Sequence, residues 1–346
     1  MANNSPSVKG RVFFTEDDTA LPLPDLIEHQ KQSWREYVET GLGEVFAEIN
    51  PIEDYTGQKL ELRFKEYEFH DPKNTVRFAK ENNITFDAPL HVNIELTNKV
   101  TGEVKEQNIY LGDYPWMTNR GTFIINGTER VVVSQLIRSS GVFFTADAVG
   151  GRNVYNAKLI PGRGAWLEFE TASNGAIYVK IDRRRKLPIT TLLRALGVGK
   201  KSEIKQLFED VDTGDLKYID ATFDKDQTSG TNEALIEVYR RLRPGDLATV
   251  ENARNMIERM FFDFKRFDYS RVGRYKINKR LGIDLPNTTE NRVFQMSDLV
   301  AIIKEIIRLN NSQEPADDID SLSNRRVNLV GELVGRQFRI GMLRMQ

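Results

Sequence analysis

Residues 123–133 read FIINGTERVVV, in which the pair Asn126-Gly127 follows one apolar run and precedes another. An Asn-Gly pair supplies the two positive φ angles that a type I′ turn requires between antiparallel strands. The stretch therefore predicts a β-hairpin in which residues 123–125 pair with residues 131–133.

Upstream of this hairpin the pattern predicts a helix followed by a meander of strands. Apolar residues recur at helical spacing over residues 25–40. Leu60, Leu62 and Phe64 alternate with charged residues, and Tyr67 resumes the alternation one position out of phase, which predicts a strand with a bulge. Residues 90–96 and 109–111 supply the next two strands.

Downstream, the Ser- and Gly-containing residues 139–151 indicate a crossing into a second domain that is richer in helix. Strands are predicted on either side of Asn174-Gly175, and the acidic segment 209–230 is interpreted as a loop or short insertion. Helical patterns occupy residues 190–196, 203–208, 232–242, 250–262, 298–309 and 328–346.

Composition excludes several classes of protein. The 346 residues suggest about two domains, and 40% hydrophobic residues are enough for packed cores. No apolar run is long enough to span a membrane, and no secretory signal is recognisable, so we expect a cytoplasmic protein without membrane contacts. The absence of cysteine excludes disulfides and thiolate metal sites.

Charge is distributed unevenly. Residues 1–138 hold 15 basic and 22 acidic side chains, whereas residues 139–346 hold 34 and 28. The second part contains the run Arg183, Arg184, Arg185 and Lys186, and a basic stretch over residues 265–280 that includes Arg271 and Arg274. Such runs fit a polyanion partner, and they fit solvated surfaces equally well.

No catalytic group of residues is evident. The segment 197–202 lacks the glycine and hydroxyl spacing of a phosphate-binding loop. Asp317, Asp318 and Asp320 are the right residue type for magnesium, but three acids before a basic pair are more often a loop bound to its own arginines.

One long segment carries a resemblance to a known family. Residues 112–144 read GDYPWMTNRGTFIINGTERVVVSQLIRSSGVFF, and related patterns recur as AKLIP at 157–161, RGAWLEFE at 163–170, RVGRYKIN at 271–278 and DDIDSLSNRR at 317–326. This sequence closely resembles the N-terminal portion of the beta subunit of bacterial DNA-directed RNA polymerase, with its protrusion and lobe modules.

The resemblance implies an α+β fold of two mixed α/β modules with antiparallel hairpins and packed helices, the second inserted into the first. Residues 1–138 and 317–346 are expected to form the protrusion-like domain, and residues 139–316 the lobe-like domain. The function implied is DNA-templated RNA synthesis, in which this part forms a wall of the DNA channel and contacts DNA.

In the family, magnesium is held by the beta-prime subunit, so no cofactor is expected in this chain and the isolated chain is expected to be inactive. The implied partners are DNA, the beta-prime, alpha and sigma subunits, and the remainder of beta. The alternative is a free-standing, non-catalytic nucleic-acid-binding or regulatory protein that retains these modules. Reading the gene past the codon for Gln346 distinguishes the two.

The resemblance also implies DNA-contacting residues. A pocket for one unpaired guanine is expected at Arg138, Asp320 and Arg325, and a base-stacking surface at Trp166. From the residues alone, the favoured interpretation is that Trp166 is a strand residue of the lobe core and that Asp320 simply pairs with Arg325 across a turn; only the resemblance reverses this. Phosphate contacts are predicted for six basic residues: Arg183, Arg184, Arg185, Lys186, Arg271 and Arg274.

Overall fold

The computed structural model describes residues 24–149 and 151–345. The chain divides into two compact units. The first contains the described residues up to Ser134 together with those from Leu329 onward, and the second runs from Gln135 to Asn328. The α+β class with antiparallel sheets and packed helices is confirmed, whereas the domain borders expected at residues 138 and 317 stay a prediction.

The first unit is a four-stranded antiparallel sheet in the order β1-β2-β3-β4, with helices and a small hairpin. Residues 65–66 interrupt the β2–β3 register, since the pairing shifts between Phe64 and Tyr67, which confirms the predicted bulge. The elements of this unit are α1 (Glu28–Glu36), a π-helical segment (Tyr37–Gly41), α2 (Leu42–Ile49), β1 (Ile52–Glu53), β2 (Leu60–Phe69), α3 (Val76–Glu81), β3 (Asp87–Asn98), β4 (Val104–Pro115), β5 (Phe123–Ile125), β6 (Thr128–Arg130) and α11 (Val330–Met345).

The hairpin at Asn126-Gly127 is confirmed, with φ angles of 50° and 76° at the two turn residues. Its second strand is β6, however, and residues 131–133 lie outside it. The reason is the turn length: a two-residue turn pairs Ile125 with Thr128 at once, so the partner strand is complete before the valines begin.

The core of the first unit is aromatic. Trp34 of α1 packs edge-on against Phe123 of β5 with ring centroids 5.1 Å apart, and Phe338 of α11 meets Phe46 of α2 at 5.7 Å. Gly331 allows α11 to approach α1, because a Cβ there would collide with the carbonyl oxygen of Ser33. The predicted C-terminal helix is thus docked on the N-terminal helices of its own unit.

The second unit is a five-stranded antiparallel sheet in the order β12-β11-β10-β9-β8, with seven α-helices and two 3-10 helices (Glu290–Arg292 and Leu322–Asn324) among the described residues. A separate two-stranded ribbon joins β7 to β13. Its elements are β7 (Gln135–Arg138), β8 (Gly141–Val149), β9 (Arg152–Ile160), β10 (Leu167–Thr171), β11 (Ile177–Ile181), β12 (Leu187–Pro188), α4 (Ile189–Ala195), α5 (Lys201–Phe208), α6 (Tyr218–Phe223), α7 (Thr231–Leu242), α8 (Val250–Phe261), α9 (Ser270–Leu281), α10 (Met296–Ser312) and β13 (Arg325–Asn328).

Two helices of this unit were not anticipated. The segment interpreted as a loop contains α6, a helix of six residues with a buried face that includes Tyr218 and Phe223. A helix so short is marginal alone, and tertiary burial supplies most of its stability. The second is α9, whose buried face consists of Gly273, Arg274 and Ile277 and therefore lacks an apolar stripe.

The residues interpreted as a crossing into the second domain are largely a strand. Residues 141–149 form β8, which pairs along its length with β9 inside the second unit. Over the described parts of the chain, no helix combines the length and apolar character needed to cross a membrane.

Candidate nucleic-acid interface

The ribbon of β7 and β13 brings Arg138 close to Arg325 and Asp320, from which it is far apart in sequence. Arg138 lies directly opposite Arg325 in the antiparallel register. An Nη atom of Arg325 donates to Oδ1 of Asp320 at 2.7 Å, and the Asp320 side chain is still 79% exposed. Two guanidinium groups and one accessible carboxylate therefore share one end of the ribbon.

The loop that carries Asp320 is held by backbone and side-chain bonds. The amide of Asp320 donates to the Asp318 carboxylate at 2.9 Å, and the side-chain amide of Asn324 donates to the Asp318 carbonyl. Lys276 of α9 donates to the carbonyl of Ser323, and burial lowers the pKa of Lys276. Asp320 thus projects from an ordered turn.

The same contacts decide between the two interpretations of the acidic segment. Asp317 accepts from the Phe144 amide at 2.9 Å and from Arg280 at 3.2 Å, while Asp320 pairs with Arg325. The interpretation as a loop bound to its own arginines is confirmed. Within residues 24–149 and 151–345, no cluster of three or more acidic or histidine side chains has the geometry to hold a metal ion.

Trp166 lies immediately before β10 and is half-buried, next to the fully buried Leu167. It is not a core strand residue, so that alternative is wrong. Its carbonyl accepts from the amide of Asp182 at 2.8 Å, and the guanidinium carbon of Arg183 lies 5.2 Å from the centre of its ring. Such a cation–π contact contributes about 0.5–1 kcal/mol at an exposed site.

The basic run forms the turn between β11 and β12. Arg183, Arg184, Arg185 and Lys186 are all exposed, and the Lys186 ammonium lies 4.8 Å over the Tyr178 ring. None of the four forms an ion pair with a carboxylate in the parts of the chain that the structure describes. Their cationic groups are accessible to an anionic partner, so phosphate contact stays a prediction for this run.

The two arginines predicted on α9 behave differently. Arg271 is exposed, and its phosphate contact stays a prediction. Arg274 is fully buried, donates to both carboxylate oxygens of Asp298 at 2.7 and 2.8 Å, and donates to Asn278 at 2.8 Å. Direct DNA contact by Arg274 is therefore a wrong prediction, because its guanidinium is enclosed and already bonded.

A polar cleft of about 750 Å³ in the second unit was not predicted from the sequence. Asp182 is the acidic residue among its lining side chains, which otherwise include four arginines. Two of these arginines form only loose, exposed ion pairs, at 3.9 and 3.8 Å, which contribute little. The four arginines of the lining are Arg184, Arg243, Arg259 and Arg266. The lining also includes Ala165, the residue before Trp166.

One sequence signal for this cleft exists on α8. Ala253, Ile257 and Phe261 form its buried stripe at four-residue spacing. A second stripe at helical spacing combines polar, apolar and basic side chains and lines the cleft: Asn252, Asn255, Met256, Arg259 and Met260. Met256 and Met260 also pack against the core, so the signal for the cleft consists of the polar and basic members of this stripe.

Comparison with known proteins identifies relatives over nearly the whole chain. The family model described as RNA polymerase Rpb2, domain 2, matches residues 128–328. The chain is 46% identical over 367 residues to the DNA-directed RNA polymerase subunit beta of Chloroflexus aggregans, covering 97% of this chain and 30% of that protein. It is 48% identical over 341 residues to the subunit beta of Dehalococcoides mccartyi, covering 97% of this chain and 27% of that protein. The chain thus spans less than a third of the length of these relatives.

Proposed function

The chain belongs to the RNA polymerase Rpb2 family, whose domain 2 it carries at residues 128–328, and on this basis we propose that it serves in DNA-templated RNA synthesis as the N-terminal part of a bacterial polymerase beta subunit. In this role it forms a wall of the DNA channel and contacts DNA. The beta-prime, alpha and sigma subunits and the rest of beta are its proposed partners. The magnesium-dependent chemistry belongs to another subunit.

The observation that carries the DNA-contact proposal is the grouping of Arg138, Asp320 and Arg325. A guanine presents an N1–H and an N2–H on the same edge, and an ionised carboxylate accepts two hydrogen bonds side by side. Asp320 keeps most of its surface accessible while Arg325 fixes one of its oxygens. The two arginines supply positive charge for the adjoining phosphates.

Trp166 fits the second part of the proposal, the stacking of a neighbouring unpaired base. A partly exposed indole at the beginning of the central strand of a sheet offers a flat apolar surface, and stacking on an aromatic side chain contributes about 1–3 kcal/mol per base. The arginine-lined cleft begins at the residue before Trp166, so phosphates of the same strand would meet cationic groups there.

The experiment that tests the pocket uses a polymerase rebuilt with this N-terminal portion. Open complexes are formed with guanine or another base at the non-template position facing the pocket, and their lifetimes are measured. Asp320→Ala is expected to abolish the preference for guanine, since hydrogen bonds to a charged acceptor contribute about 1.5–3 kcal/mol each.

Two further variants serve as comparisons. Trp166→Ala is expected to shorten the lifetimes for every base without removing the guanine preference. Asp284→Ala removes an exposed carboxylate elsewhere in the second unit and is expected to change neither quantity. If Asp320→Ala retains the preference for guanine, the pocket assignment is wrong.

A further inference from the structure

The turn between β11 and β12 places a cation on the ring of Trp166. The guanidinium carbon of Arg183 lies 5.2 Å from the ring centre, although Arg183 is exposed. The amide of the preceding residue, Asp182, donates to the Trp166 carbonyl at 2.8 Å. The turn is therefore attached to Trp166 at two points, one through the backbone and one through the side chain.

The backbone of this turn has a conformation that L-residues adopt at a cost. Asp182 and Arg183 have φ angles of 47° and 59°, both in the left-handed region. Aspartate adopts this region more readily than most residues, but arginine does not, and the turn is closed by the Arg184 amide, which donates to the Ile181 carbonyl at 3.0 Å. Strain of this kind persists where surrounding contacts compensate for it, and it is concentrated at functional sites. The two contacts to Trp166 add to the hydrogen bond that closes the turn.

We propose that Arg183 is a positioning residue for Trp166: it covers one face of the indole and holds the ring so that the opposite face receives an unpaired base. This inference rests on the proposed stacking function of Trp166. It separates the roles of neighbouring arginines, because Arg184 lines the cleft and meets phosphate, whereas Arg183 acts through the ring. The stack formed on binding is guanidinium, indole and base.

The first test needs no DNA. The full chain is labelled with fluorotryptophan, which gives three fluorine NMR signals, and Trp166→Phe identifies the signal of Trp166. Arg183→Ala is expected to shift this signal, Arg183→Lys to restore part of the shift, and Arg185→Ala to leave it in place. Arg185 is the matched control because it removes the same charge from the same exposed turn. An unchanged Trp166 signal in Arg183→Ala overturns the proposal.

The second test measures base stacking with a short single-stranded oligothymidine that carries one 2-aminopurine, whose fluorescence falls when it stacks on an indole. At saturating protein, Arg183→Ala is expected to lose most of the quenching that the parent shows, and Arg185→Ala to keep it.

The outcomes separate this inference from the proposed function. If quenching is the same for the parent and Trp166→Ala, or absent in the parent, the stacking function fails and the role of Arg183 fails with it. If quenching depends on Trp166 and is unchanged or larger in Arg183→Ala, only the role of Arg183 is overturned. Larger quenching in Arg183→Ala would mean that Arg183 competes with the base for the indole.

Discussion

Replacing Arg274 by methionine removes one half of a fully buried ion pair and tests whether this arginine is structural. In the parent, Arg274 donates two hydrogen bonds to Asp298 and one to Asn278, and neither charged side chain is exposed. Methionine retains most of the aliphatic volume, so the main effect of Arg274→Met is an unpaired carboxylate in the core.

The expected loss is large. Breaking a buried ion pair by removing one partner costs about 3–5 kcal/mol. For a unit of 150–250 residues, each kcal/mol lowers Tm by about 2–4 °C, so a decrease of roughly 6–20 °C is expected. Burial raises the pKa of Asp298 and Arg274 opposes this rise, so the variant should raise that pKa further. A carboxyl group whose pKa is raised in the folded state stabilises the protein less as pH rises through that pKa. The stability difference between the parent and Arg274→Met should therefore grow from acid toward neutral pH.

The assay is urea unfolding of the full chain over a pH series, for the parent, Arg274→Met and the double variant Arg274→Met/Asp298→Leu. The double variant leaves no unpaired charge and should recover most of the loss. Arg271→Ala on the same helix is the matched control, because Arg271 is exposed and should not affect stability.

Duplex binding separates the two arginines further. The affinity for duplex DNA falls as salt rises, and the slope of log K against log salt concentration, here called the salt slope, measures the phosphates contacted. If Arg271 contacts one phosphate, Arg271→Ala should lower the size of this slope by about 0.9. Arg274→Met, measured under conditions in which it is folded, should leave the slope unchanged. The reasoning is refuted if Arg274→Met unfolds within about 0.5 kcal/mol of the parent, the range typical of neutral surface substitutions. It is also refuted if the double variant is no more stable than the single one.

Three further predictions concern activity, charge and acid stability. The purified 346-residue protein should make no RNA from template and nucleotides, and template-dependent incorporation above a no-protein control would contradict this. Charge reversal of residues 183–186 should lower the salt slope of duplex binding, and an unchanged slope would mean that these residues are only a solvated surface. Burial acts to raise the pKa of Asp226, but hydrogen bonds from Thr190 and Thr228 outweigh it and lower that pKa, so its contribution is lost as pH falls through the folded value, below 3.8. Asp226→Asn should lower the free energy of unfolding by about 3–5 kcal/mol at neutral pH, because buried Arg194 loses its counter-ion. When the pH is lowered further, urea unfolding should show that the variant loses less additional stability than the parent does.

The features that the sequence determined are those set by neighbours along the chain. The turn at Asn126-Gly127 follows from the ability of these two residues to adopt positive φ, and the bulge after Phe64 follows from a shift in a two-residue alternation. Most helices of the second unit carry an apolar stripe that is visible in the sequence. The long motif at residues 112–144 indicated the family, which the comparison confirmed.

Features that depend on distant partners were decided by the tertiary structure. Arg271 and Arg274 are equivalent in a list of charges, but only the second meets a carboxylate 24 residues later, and this pairing makes its burial possible. The helix α6 is too short to be stable by propensity, so its existence depends on the surface that covers Tyr218 and Phe223.

The same reason applies to the candidate interface. Arg138 lies opposite Arg325 because two short strands pair, although most of the sequence of the second unit separates them. The arginines of the cleft come from separate segments between residues 184 and 266. A sequence pattern records which side chains are cationic. Long-range packing decides whether a cation is enclosed in the core, rests on an indole as Arg183 does, or is left accessible to phosphate. The reason is that a charge is buried only where the fold supplies a partner for it, because the free energy of burying it alone is too high.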